Sequence, residues 1–109
     1  MAGLTVRAER QGSRALLDLS GELDLATISK LRDQATGQLD DAGVRELVLD
    51  FAGLTFLDSS GLGALLQIRG DAISRGAKLA IVNVPAAPAR VIAIAGLNST
   101  FGIGDAPVS

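Results

Sequence analysis

The stretch FLDSSGLGALL, residues 56–66, marks the point where one kind of secondary structure gives way to another. The residues before it form an apolar run that predicts a strand, and the residues after it carry leucines at helical spacing. Asp58, Ser59 and Ser60 lie at the junction itself. A strand that leads directly into a helix is the basic step of an α/β fold, so this junction decides the fold class.

Five segments predict strands, because their apolar residues either alternate with polar ones or run together. They are residues 4–8, 15–19, 46–51, 79–84 (interrupted by Asn83) and 101–103. A hairpin turn at residues 11–13 joins the first two, and Ser20-Gly21 ends the second. The run at 46–51 is nearly continuous, which predicts a strand that is covered on both faces, and the run at 79–84 predicts another buried strand.

Three other segments repeat their apolar residues every three or four positions, which predicts helices. Their stripes are Leu25, Ile28, Leu31, Ala35 and Leu39; then Leu62, Leu65, Leu66, Ala72 and Ile73; then Val91, Ile92 and Ala95. Asp24 or Thr27 is predicted to cap the first helix, while Gly76 and Gly96 end the second and third.

The resulting order is β-β-α-β-α-β-α, with a short final strand. Strand–helix–strand units imply parallel pairing with right-handed crossovers, and the opening hairpin adds an antiparallel pair. We therefore predict an α/β fold with a mixed four- to five-stranded sheet, an N-terminal antiparallel hairpin and three to four packed helices. With 109 residues and no visible linker or repeat, residues 1–109 are predicted to form a single domain.

Composition excludes several classes of function. Lys and Arg total 10 against 12 Asp and Glu, and aromatic residues make up only 3%, so we expect no nucleic-acid partner. There is no Cys and no His, which removes thiol chemistry, the usual transition-metal ligands and the commonest general base. We therefore predict no metal and no cofactor. No apolar segment is long enough to span a membrane and no signal peptide is visible, so a cytoplasmic protein is expected.

The junction at residues 58–60 admits several chemistries. A serine hydrolase places its nucleophile at such a turn, but without His the usual triad cannot form. Gly61-Leu62-Gly63 resembles part of a phosphate-binding loop, but no third glycine or lysine follows. A simple helix cap remains open, although it does not explain two glycines so early in a helix, each costing roughly 1 kcal/mol relative to Ala. Such small residues would leave a bare patch that suits close approach by another protein.

The motifs together resemble the anti-sigma factor antagonists of the STAS domain family. LDSSGLGALL at 57–66 is similar to the phosphorylation-site motif of that family. GELD at 21–24, VLDF at 48–51 and AGL at 95–97 followed by Phe101 are similar to its other signatures, in the same order. The resemblance covers almost the whole chain.

The resemblance implies a role for each residue of the junction. Ser59 aligns with the serine that a cognate anti-sigma factor phosphorylates with ATP, and Ser60 is the less favoured of the two. Asp24 aligns with an acidic residue near that serine. The predicted switch surface is therefore Asp24, Asp58, Ser59, Ser60, Gly61, Leu62 and Gly63.

The resemblance also implies partners and a regulatory, non-enzymatic function. The unphosphorylated protein would bind an anti-sigma factor that is itself a serine kinase, which releases a sigma factor, and phosphorylation at Ser59 would switch this binding off. A separate metal-dependent serine phosphatase would restore it, in a stress or developmental response of a bacterium. A monomer or weak dimer is expected. Two alternatives remain: a STAS scaffold subunit of a signalling complex, and a sensor of a nucleotide or small ligand.

Overall fold

A computed structural model describes residues 3–103 of the chain. Its strands are β1 (Leu4–Gln11), β2 (Arg14–Leu23), β3 (Glu46–Leu57) and β4 (Lys78–Val82), and its helices are α1 (Ile28–Leu39), α2 (Ser59–Ser74) and α3 (Ala86–Ile94). The four strands form one sheet in the order β1-β2-β3-β4. The β1–β2 pair is antiparallel and the other two pairs are parallel, so the predicted mixed α/β architecture is confirmed.

The helices and one face of the sheet enclose the core. Leu17 and Leu49, which face each other across β2 and β3, belong to the same buried cluster as Leu31 of α1, Leu65 of α2 and Ile92 of α3. The opposite face of β1 and β2 carries exposed polar residues, namely Thr5, Arg7, Asp18 and Ser20. Buried and polar residues therefore alternate along β2, as expected for a sheet that is covered on one side.

Strand β3 extends beyond the end that the sequence pattern predicts, because two β-bulges interrupt that pattern. Between its pairing at Asp50 and its pairing at Leu57, β3 contains two more residues than the facing part of β2. Such bulges break the alternation of buried residues, which would otherwise continue beyond Phe51. At one of them, a side chain on Gly53 would approach the Ser20 hydroxyl to 2.5 Å. The predicted ends at Phe51 and at Ser20-Gly21 are therefore too early, and the two strands continue to Leu57 and Leu23.

Several other predicted details are wrong. Residues 101–103 do not form a strand: Phe101 is buried in the core, and its amide donates to the carbonyl of Leu97 in a turn. Strand β4 is not buried along its length: among its residues Ile81 is buried and Leu79 half-buried, while Lys78 and Val82 are exposed, and it lies at the edge of the sheet within residues 3–103. Helix α1 begins at Ile28, so Leu25 precedes it and is exposed.

The ends of the helices follow ordinary capping rules. Helix α2 stops where Gly76 adopts a positive φ of 76°, with its amide donating to Ile73 and the amide of Ala77 donating to Ala72. This is the Schellman arrangement, in which a glycine satisfies the last carbonyls of a helix. Gly96 ends α3 in the same way, so both predicted stop signals are confirmed.

An ion-pair cluster ties the end of α2 to the end of α1. The Arg75 guanidinium donates to Asp71 at 3.0 Å and to Asp40 at 2.6 Å. These two carboxylates, Asp40 foremost, raise the pKa of Arg75 above its ordinary value. The contact joins the C-terminal ends of the two helices, at the opposite end of α2 from Ser59.

Leu65 and Leu66 provide a direct test of which face of α2 packs against the core. Leu65 is fully buried, whereas Leu66 and Ile73, which the helical stripe assigns to the core, are exposed. We expect Leu65→Ala to lower the free energy of unfolding by about 2–5 kcal/mol, because a cavity replaces the side chain. Leu66→Ala should cost less than half as much in the same urea titration. Equal losses for the two variants would contradict the orientation of α2.

Candidate functional site

The pairing of β2 and β3 brings the polar residues at their ends together. Leu23 lies opposite Leu57, so Asp24 and Asp58 each follow one member of the same pair. Because the two strands are parallel, their carboxyl ends meet at one edge of the sheet. Such an edge is the usual position of binding sites in open α/β sheets. The structure therefore places the two predicted acidic residues at the same end of the sheet, each directly after a member of one strand pair.

Asp58 is the N-cap of α2. Its backbone is extended, with φ −120° and ψ −174°, and its side chain accepts a hydrogen bond from the Gly61 amide at 3.0 Å. The amide of Leu62 donates to the Asp58 carbonyl at 3.0 Å and closes the first helical turn. A carboxylate in this position satisfies an otherwise unpaired N–H group and lies at the positive end of the helix dipole.

The two serines that follow differ in accessibility. Ser59, the first residue of α2, is exposed, whereas Ser60 is half-buried. Within residues 3–103, no side chain hydrogen-bonds to the Ser59 hydroxyl, so no base activates it as a nucleophile. An exposed, unactivated hydroxyl suits a group that an external enzyme modifies.

The two glycines of the junction have different surroundings. Gly61 is buried, and a Cβ there would lie 2.6 Å from Leu57 Cδ1 and 2.9 Å from the Leu23 carbonyl oxygen. The expectation of a bare patch at both glycines is therefore wrong for Gly61, which is required for α2 to seat against the end of β2. Gly63 is exposed, and a Cβ there would meet nothing within 4 Å. Only Gly63 leaves backbone open at the surface.

Leu62 is, with Gly61, one of the two buried residues of the predicted switch surface. It is 8% exposed and belongs to the core cluster. Its side chain therefore anchors the first turn of α2 from below, while Ser59 and Gly63 face outward. Asp24 is half-buried, and its carboxylate accepts a hydrogen bond from the Ala26 amide at 3.0 Å, with the Thr27 hydroxyl oxygen 3.3 Å from the same carboxylate oxygen.

Thr27 holds this part of the site in place, and the sequence pattern did not single it out for that role. It occupies the N-cap position of α1, but its side chain makes no cap hydrogen bond. Instead the hydroxyl donates to the Glu22 carbonyl at 2.8 Å and accepts from the Asp24 amide at 3.0 Å. Thr27 is the one buried polar residue of the described part of the chain. A threonine three residues after Asp24 and directly before Ile28 of the helical stripe is the sequence signal that could have revealed it.

Other kinds of site are not visible in residues 3–103. No group of three or more acidic side chains is arranged to hold a metal ion there. None of the helices in this range has the length and apolar character that crossing a membrane requires.

Comparison with known proteins shows what the chain is similar to. The model of the STAS domain family matches residues 5–107. The anti-sigma-F factor antagonist RsfB of Mycobacterium tuberculosis is 31% identical over 98 residues, which cover 90% of this chain and 79% of RsfB.

Two proteins of known structure have the same fold. An anti-sigma factor antagonist from Mycobacterium paratuberculosis superposes with a TM-score of 0.80, at 26% identity over 91% of this chain and 83% of that one. The anti-sigma factor antagonist SpoIIAA in its unphosphorylated form gives a TM-score of 0.76, at 22% identity over 87% of this chain and 84% of that one. The phosphorylated form of SpoIIAA from Bacillus gives 0.69, at 22% identity over 87% and 86% of the two chains.

The different surroundings of Gly61 and Gly63 can be tested by measuring the stability of their alanine variants. We expect Gly61→Ala to destabilise the fold by about 1–3 kcal/mol, since the added methyl has no space. We expect Gly63→Ala to stabilise it by roughly 0.5–1 kcal/mol, because alanine is the better helix former and its methyl meets only solvent. Urea unfolding of both variants checks this, and a destabilised Gly63→Ala would contradict the open environment described here.

The role of Thr27 can be tested with an isosteric change. Thr27→Val leaves the Asp24 amide and the Glu22 carbonyl without their partner, so we expect a loss of about 1–3 kcal/mol in the free energy of unfolding. Thr27→Ser keeps the hydroxyl and serves as the control, with most of that loss absent. If valine and serine cost the same, the hydroxyl does not hold the turn.

Proposed function

The chain belongs to the STAS domain family, and from this membership and the geometry of the junction we propose that it is an anti-sigma factor antagonist that is switched by phosphorylation of Ser59. The observation that carries the proposal is the exposed Ser59 hydroxyl at the first position of α2, directly after the Asp58 cap. In the unmodified state the protein binds an anti-sigma factor that is also a serine kinase, and so releases a sigma factor.

The accessibility of the two serines favours Ser59 as the modified residue. A kinase must reach the hydroxyl with the γ-phosphate of ATP, and Ser59 is exposed while Ser60 is half-buried. Asp58 is held by its hydrogen bond to Gly61, so the backbone next to Ser59 is ordered. The target hydroxyl is therefore presented in one geometry rather than on a loose loop.

The electrostatics of the junction explain how a phosphate would act. It adds about −1.5 to −2 charges and three acceptor oxygens. The positive end of the α2 dipole and its free N–H groups favour an anion at this position, so the fold tolerates the group. Asp24 and Asp58 lie at the same edge, and their charges add to that of the phosphate. The surface becomes bulky and strongly negative, and a partner that fits the neutral serine is repelled.

The surface next to Ser59 suits close approach by a protein. Gly63 lies one helical turn further along α2, and no side chain covers its backbone. A glycine there costs helix stability without serving the core, which supports a role in partner contact. Gly61 and Leu62 support this surface from the buried side, while Asp24, Asp58 and Ser60 border it.

The relatives named above support the proposed function. RsfB and the Mycobacterium paratuberculosis protein are anti-sigma factor antagonists, and SpoIIAA is known in unphosphorylated and phosphorylated forms. In this proposal the chain is a regulatory binding protein and a substrate, not an enzyme. Its partners are the anti-sigma factor kinase and a separate metal-dependent serine phosphatase, and it acts in the bacterial cytoplasm as a monomer or weak dimer.

The charge switch can be tested with substitutions at Ser59. We expect Ser59→Ala to bind the cognate anti-sigma factor as wild type does but to accept no phosphate, as located by mass spectrometry. We expect Ser59→Asp to lose at least about tenfold in affinity, which corresponds to roughly 1.4 kcal/mol. Calorimetric titration of the anti-sigma factor with each variant gives these values.

A matched control tests whether the position of the added charge matters, and not only its presence. Ser13 lies in the β1–β2 turn, at the start of β2 rather than at its end, and is exposed. Ser13→Asp adds the same charge at the far end of a ten-residue strand and should leave binding unchanged. Wild-type affinity in Ser59→Asp, or phosphate on another residue, would refute the proposed switch.

A further inference from the structure

Leu25 is a large apolar side chain that the fold leaves in water. It lies in the turn between β2 and α1 and is 74% exposed, although its spacing predicts a place in the core stripe of α1. Single exposed leucines are common, so exposure alone carries no conclusion. Two further features distinguish Leu25. Its turn is held by hydrogen bonds, and it lies at the same end of the sheet as Ser59.

The turn that carries Leu25 is closed by hydrogen bonds on both sides of it. The Asp24 carbonyl accepts from the amides of Thr27 and Ile28, both at 3.0 Å, and the Asp24 carboxylate accepts from Ala26 at 3.0 Å. The Thr27 hydroxyl ties the same turn back to the Glu22 carbonyl at 2.8 Å. The backbone around Leu25 is therefore ordered before any partner arrives, and little backbone freedom is lost on binding.

The sheet register places this turn at the same end of the sheet as Ser59. Leu25 is two residues beyond Leu23, and Ser59 is two residues beyond Leu57, the partner of Leu23 in the sheet. The first turn of α2 also rests on the end of β2, since a Cβ on Gly61 would lie 2.9 Å from the Leu23 carbonyl oxygen. A partner that covers Ser59 therefore reaches the Leu25 turn as part of the same surface.

We propose that Leu25 is an apolar anchor that inserts into a pocket on the anti-sigma factor, next to the place where that protein reads the charge of Ser59. This inference rests on the function proposed above. The partner's pocket is apolar and about one leucine side chain wide, and its rim carries cationic or hydrogen-bond-donating groups that complement Asp24 and Asp58. Residues that dominate binding sit in fully desolvated pockets of the partner, and a side chain on a preordered turn loses less conformational entropy on docking. Ser59 then sets whether docking is permitted, and Leu25 sets how tight it is.

The test compares Leu25→Ser with Ile94→Ser in the full-length protein. Ile94 lies at the end of α3 and is 80% exposed, so its replacement removes a similar apolar side chain from another surface. We expect Leu25→Ser to weaken calorimetric binding of the anti-sigma factor kinase at least about tenfold, and Ile94→Ser to leave it within about twofold. The thermal midpoints of both variants should match or exceed that of wild type, because neither side chain is in the core. Leu25→Met should retain most of the affinity.

The outcomes distinguish this inference from the proposed function. If wild type binds and Ser59→Asp abolishes binding, but Leu25→Ser binds as wild type does, the anchor is refuted and the switch stands. An equal loss in Leu25→Ser and Ile94→Ser also refutes the anchor, because the effect would not be specific to this turn. If wild type binds no anti-sigma factor, the proposed function and the anchor fail together.

Discussion

The pairing of Leu23 with Leu57 at the carboxyl ends of two parallel strands is the constraint on which the site depends. It sets the Asp24 turn and the Asp58 cap at one edge of the sheet. Gly61 then allows α2 to start directly on the end of β2, since any side chain there would collide with Leu23 and Leu57. The buried side chain of Leu62 fixes the rotation of that first turn. With this rotation Ser59 and Gly63 face solvent.

This arrangement separates what folds the domain from what a modification would change. The core is built mostly from aliphatic side chains, with Phe51 and Phe101, between the sheet and the helices. Ser59 contributes nothing to that core, and its neighbouring N–H groups already favour negative charge. A phosphate there would alter the potential of the surface without removing any packing contact. The same separation applies to Leu25, which a hydrogen-bonded turn holds in place without burying it.

Much of this could be predicted from the sequence, because the strongest signals were local. The order of strands and helices, the hairpin, the two glycine stops and the position of α2 follow from periodicity and from glycine placement. The strand ends did not, since bulges in β3 break the alternation after Phe51. Leu25 and Leu66 were assigned to the core because a stripe cannot show where a helix begins or how it is rotated. Phe101 is apolar enough for a strand, yet it fills the core from a turn.

Within the site, the residue types could be predicted from the sequence, but the separate role of each residue could not. The motif names Gly61 and Gly63 together, but only the packing of α2 on Leu23 shows that one is structural and the other open. Thr27 supports Asp24 through hydrogen bonds that depend on how the turn folds, which no spacing rule captures.

In the proposed function, phosphorylation of Ser59 changes the charge of the surface while the fold stays the same. Amide correlation spectra of the isotope-labelled protein, before and after stoichiometric phosphorylation by the proposed anti-sigma factor kinase, test it most directly. We expect shifts confined to residues 24–28 and 58–63, with the core amides of Leu17 and Leu49 unmoved. Shifts spread through the sheet, or a phosphoprotein with altered core signals, would contradict it.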